Sequence, residues 1–129
     1  MTQLAFDLPE PNGLVLDGAP TDIPVIDRAH LDRVTYGDRS LRRELLELFD
    51  RQATILVARM RGCDAAALAT LAHTLKGSAA GIGATGVAQA ALAAERATDA
   101  PLAERLAAVD LLAAAVDRVR PEIAALLMG

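Results

Sequence analysis

Apolar residues recur every three and four positions along most of the chain beyond residue 27, and most of them are alanine or leucine. That period is the mark of helices that bury one face. Aromatic residues make up only 2% of the sequence and β-branched runs are nearly absent, so no strand signal competes. Alanine removes little area from water when it is buried. The core must therefore come from helices that approach closely, not from bulky side chains. With 129 residues the chain is one domain by length.

Composition narrows the function classes. The net charge is −4 and the basic residues stand singly or in pairs, so there is no basic footprint for nucleic acid. Cys63 is alone, which excludes an intrachain disulfide. The start carries no basic, apolar leader pattern, being interrupted by Asp7 and Pro9. The longest uncharged run, Gly77 to Ala94, is about the shortest that spans a bilayer. It is rich in alanine and glycine and contains Ser78, Thr85 and Gln89. A soluble, cytoplasmic protein with no membrane partner is expected.

Residues 1–23 read as an arm set apart from a domain over residues 24–129. Pro9, Pro11, Pro20 and Pro24, with Gly13 and Gly18, break regular structure there. Phe6 and the run Leu14-Val15-Leu16 are its candidate docking residues, on the helices or on a partner. Asp27 then caps a short helix through Val34, which Gly37 ends. Asp38 or Ser40 caps a longer helix to about Arg61, with Leu41, Leu45, Leu48, Phe49, Leu56 and Met60 as its apolar stripe. Asp64 caps a third helix, Ala65 to about Ala80, and Gly81, Gly83 and Gly86 mark a tight turn. A fourth runs from about Thr85 to Thr98 with Val87, Ala91 and Ala94 inward. Pro101 starts the last helix, whose stripe runs from Leu102 and Leu106 through Val109, Leu112, Val116 and Val119 to Ile123 and Leu127. Pro121 is expected to kink it, with a further turn beyond. The predicted fold is all-α: an antiparallel up-down-up-down four-helix bundle with a short extra N-terminal helix.

The third helix carries the residues with chemical potential. On a wheel at about 100° per residue, Leu68, Leu71, Ala72, Leu75 and Ala79 form the buried arc, and His73 lies roughly 140° from its centre. His73 should face solvent, with Lys76 on the same flank and Gly77 beside the imidazole. A helical glycine costs about 0.5–1 kcal/mol relative to alanine, so Gly77 suggests room kept for something large. His30, Cys63 and His73 lack metal-ligand spacing, and Ser78 is half a turn away from the face of His73. Histidine acting as the nucleophile suits the group better. A neutral imidazole nitrogen attacks a phosphoryl group, and Lys76 offsets the charge on its oxygens. The sequence has no phosphate-binding glycine loop, so the phosphoryl group would arrive from another protein and leave to another.

The stretch Ala72-His73-Thr74-Leu75-Lys76-Gly77-Ser78-Ala79, followed by Gly83 and Ala84, resembles the histidine-containing phosphotransfer (HPt) domains. Their pattern is a phosphorylated His, a Leu-Lys-Gly beginning two residues later and a Gly ten residues after the His. Pro24-Val25-Ile26-Asp27, Leu45-Leu46-Glu47-Leu48-Phe49, Val87 and Ala94-Glu95 extend the resemblance over about residues 24 to 127. It implies a monomeric phosphorelay intermediate. The partners would be response-regulator receiver domains and a hybrid or sensor histidine kinase. His73 would be the phosphoacceptor, Lys76 the support for phosphoryl charge, Gly77 the access for a receiver and Glu95 a partner of the imidazole. No cofactor would be bound by this chain; Mg²⁺ would sit in the receiver partner. The chain departs from the family at Gly81, where Asn is frequent and a looser turn is implied, and at Ala91 and Ala94, which are smaller than usual. A second reading is an HPt-like interaction module that binds or sequesters a receiver without carrying phosphate. A third is a fragment of a kinase dimerisation domain, disfavoured because no ATP-binding half accompanies it.

Overall fold

The computed structural model describes residues 25–129. The expected arm, with Phe6 and Leu14-Val15-Leu16, lies outside them. Five helices follow: α1 (Arg28–Val34), α2 (Arg39–Met60), α3 (Ala65–Ile82), α4 (Thr85–Arg96) and α5 (Leu102–Met128). Three aspartates start the first three as expected. The Asp27 side chain accepts from the His30 N–H, that of Asp38 from Ser40 and Leu41, and that of Asp64 from Ala67. Each satisfies N–H groups that a helix start leaves without partners.

Consecutive helices pack against each other from α2 to α5, and α5 returns to α2, which closes a four-helix ring. The short α1 lies across α3. This is the predicted bundle with its extra helix. Alanine does much of the filling: Ala72 and Ala79 of α3 and Ala91 and Ala94 of α4 are wholly buried. With only a methyl group at these positions, α3 and α4 come close enough for side chains on their outer edges to meet. Larger side chains from α5, including Leu112, Val119 and Ile123, fill the centre. Each contributes about 1.5–3 kcal/mol of apolar burial.

The buried face of α2 differs from the expected stripe. Leu46, Phe49, Ala53 and Met60 are buried, Leu45 and Leu56 pack partly against them, and Leu41 and Leu48 are exposed. Two apolar stripes run along this helix, and its neighbours α3 and α5 meet the one containing the inconspicuous Ala53. Leu102 and Leu106, expected inside, are also exposed. The Arg61–Asp110 ion pair at 2.7 Å sets the end of α2 level with Asp110. The first turns of α5 therefore project past α2, with little to bury against. Past Pro121 the helix continues to Met128, so the further turn is present.

The turn after α3 is tighter than the sequence implied. Gly81 is helical and Gly86 belongs to α4, leaving Gly83 as the hinge residue at φ +81°. Gly83 is required twice. Its left-handed backbone disfavours any Cβ, and a Cβ there would stand 2.9 Å from the Asp27 carbonyl oxygen. The Asp27 N–H donates to the Gly83 carbonyl at 2.8 Å, and His30 Nε2 lies 3.1 Å from the Gly81 carbonyl. The loosening implied by Gly81 does not occur, because α1 pins this end of α3 from outside.

Candidate functional site

The site is built across the outer seam of α3 and α4, from the residues that directly follow two of their buried alanines. His73 follows the buried Ala72 and points away from the core, its side chain 67% exposed. Glu95 follows the buried Ala94 on α4, and its side chain is 28% exposed. Because both alanines sit at the helix contact, the residues after them emerge at the same seam. There the His73 Nδ1 and Glu95 Oε2 are 3.1 Å apart. The other carboxylate oxygen, Oε1, accepts from Lys76 Nζ at 2.9 Å. One carboxylate thus binds imidazole and ammonium together.

The Lys76 hydrogen bond is the main reason that the Glu95 carboxyl is held below its ordinary value. The bond to His73 and the two neighbouring positive charges act in the same direction, against partial burial. An ionised carboxylate only accepts hydrogen bonds. The His73 nitrogen facing it must therefore carry the proton. In the neutral imidazole the lone pair is then on Nε2, on the far side of the ring from Glu95.

Gly77, one turn beyond His73, is exposed, and a Cβ built there would meet nothing within 4 Å. No clash inside the chain calls for glycine at this position, and the space beside the imidazole is open. Lys76 differs from expectation in its exposure, being half-buried and not out on the exposed flank, and its ammonium bonds Glu95. The structure thus brings His73, Lys76, Gly77 and Glu95 to one seam. The joint use of Glu95 by His73 and Lys76 was not foreseen, because a carboxylate on another helix cannot be assigned two partners by spacing along one helix. His30 is half-buried and ties α1 to Gly81.

Among the described residues no group of three or more His, Cys, Asp or Glu side chains could hold a metal ion, and no helix is long and apolar enough to cross a membrane. Neither the curated proteins nor the solved structures provide a match to the chain. A family model described as Hpt domain matches residues 15–126. With its all-helical bundle and this match over most of its length, the chain belongs to the Hpt domain family, the phosphocarrier modules of histidine phosphotransfer in phosphorelays.

Proposed function

We propose that this protein carries a phosphoryl group on Nε2 of His73 between receiver-domain aspartates. The bond from Glu95 to the Nδ1 face of the ring is the observation that carries this reading, because it leaves the outward nitrogen as the nucleophile. In the forward step the Nε2 lone pair attacks the phosphorus of a receiver's aspartyl phosphate. A P–N bond forms as the P–O bond to the aspartate breaks, and the carboxylate leaves with the electron pair. Nδ1 keeps its proton throughout, and the ring gains positive charge that the Glu95 carboxylate offsets. The carboxyl oxygen of a second receiver's aspartate then attacks the phosphorus and Nε2 leaves, which restores the neutral imidazole.

Lys76 is close enough to the seam to meet the phosphoryl oxygens, and its bond to Glu95 holds it ready at the rim. The open space at Gly77 admits the partner's loops. The Mg²⁺ for the transfer belongs to the receiver, and the donor is a receiver domain of a hybrid kinase or a response regulator. The chain acts as a cytoplasmic monomer with no turnover of its own.

Incubation with a phosphorylated receiver domain and Mg²⁺ tests this directly. Acid-labile, base-stable phosphate should appear on the wild type and be absent from His73→Gln. Label that survives the substitution would overturn the assignment. Binding of the receiver without any label would favour an interaction module instead.

A further inference from the structure

The second apolar stripe of α2 has no neighbour in the bundle. Leu41, Leu48 and Ile55 follow one another at seven-residue intervals and are 38%, 44% and 51% exposed. Leu45 and Gln52 complete the stripe in alternate steps of four and three, so it runs along most of the 22-residue helix. Single exposed apolar residues are ordinary on a protein surface. A seven-residue repeat along one helix is instead the seam along which two helices pair. Beside the stripe, Leu45 and Leu48 line a groove of about 250 Å³ against Val34 and Ile82, with no ionisable residue in the lining. The same face thus offers a projecting leucine and a recess next to it.

Charge identifies the occupant. Glu44 and Arg51 flank the stripe on the side away from the groove. Both are exposed, and neither forms an ion pair among the described residues. They too are seven residues apart. An antiparallel helix of the same sequence therefore sets Glu44 of each copy opposite Arg51 of the other, giving two ion pairs related by a twofold axis. In that register Leu48 of each copy meets Leu45 of the other and enters the groove beside it, and Leu41 lies over Gln52. Sliding the helices by one heptad in either direction brings Arg51 against Arg51 or Glu44 against Glu44. Apolar fit and charge thus select the same register.

We propose that this face of α2 pairs with the same face of a second copy of the chain, as a reversible antiparallel dimer. The helix is about 33 Å long. One helix face of that length buries less than about 1,200 Å² in a pair, the size below which association is weak and transient. The dimer is therefore a reserve from which the acting monomer is drawn, not a permanent assembly. Gln52, within the stripe, accepts from the Ser78 hydroxyl at 3.4 Å, and Ser78 follows Gly77. The second copy thus crowds the approach over Gly77, and a receiver meets the site freely only on the separated chain. That competition rests on the phosphocarrier reading; the pairing does not.

Sedimentation of the full chain from about 1 μM to 1 mM should show its mass rising toward that of two chains. Arg51→Glu and Glu44→Arg each turn both ion pairs into like-charge contacts, and each should weaken the dimer about tenfold or more. Mixed together, the two variants should associate with each other, because the mixed pair again sets opposite charges face to face. Leu48→Asp, at an exposed position, should abolish association while helical circular dichroism is retained. A monomer throughout the range would overturn the pairing. So would a dimer indifferent to Leu48→Asp or to the charge reversals, which would place the contact on another face. The rate constant for transfer from a phosphorylated receiver should fall as the wild type is concentrated through the dimer range and stay constant for Arg51→Glu. A constant value for both would overturn the competition, whereas absence of label on both proteins would refute the phosphocarrier reading and leave the pairing intact.

Discussion

Glu95 is bonded through both carboxylate oxygens, so two substitutions separate its two effects. Glu95→Gln keeps an oxygen that accepts from His73 Nδ1 but cannot offset the Lys76 charge. Glu95→Ala removes both. Nitrogen-15 shifts of the neutral imidazole should therefore report the Nδ1–H form in the wild type and Glu95→Gln, and a mixture of forms in Glu95→Ala. Transfer through His73 should fall about tenfold or more in Glu95→Ala, the equivalent of one hydrogen bond to a charged group. A wild-type ring with its proton on Nε2 would refute the account. The carboxyl also makes the fold sensitive to acid. Its value is depressed in the folded state, chiefly by the Lys76 bond, so its contribution is fully present above the ordinary carboxyl value. That contribution is lost as pH falls below the ordinary value and through the depressed one. Urea midpoints measured across that window should decline less steeply for Glu95→Gln than for the wild type.

At the scale of the element, the end of α3 shows why two glycines only two residues apart are not equivalent. Gly83 has the left-handed backbone and sits against Asp27, whereas Gly81 is helical with open space where a Cβ would go. Gly83→Ala should cost about 1–2 kcal/mol for the backbone alone. Its Cβ would further push α1 away at the Asp27 carbonyl. Gly81→Ala should instead stabilise by about 0.5–1 kcal/mol. Urea unfolding checks both signs; equal effects would mean that the turn does not have this geometry. The sequence showed three glycines and could not rank them, since all three suit a turn. What ranks them is the long-range bond between Asp27 and Gly83, 56 positions apart in the chain.

For the whole molecule, the closeness of α3 and α4 sets the site's geometry. Ala94 is fully buried at their contact, and Glu95 follows it. Ala94→Leu should destabilise by about 1–3 kcal/mol through overpacking. It should also lift α4 enough to lengthen the Glu95–His73 bond, seen as loss of the Nδ1–H signature in the folded protein. Leu112→Ala, on α5 and outside the two helices that carry the site, should cost about 2–5 kcal/mol while leaving that signature in place. The contrast separates loss of stability from loss of geometry.

The helical period, the aspartate caps and the Ala/Leu composition determined by themselves that the chain forms helices, where three of them start, and that they pack closely. A local rule suffices for each: 3.6 residues per turn, and one carboxylate for exposed N–H groups. The outward turn of His73 was legible for the same reason, because α3 has one apolar arc. The face α2 buries was not, because that helix has two apolar stripes and its neighbours select between them. Only the tertiary structure decided that His73 and Lys76 share Glu95. Those contacts cross between helices, and their distance follows from how closely buried alanines let two backbones approach, a quantity that periodicity along one helix does not contain.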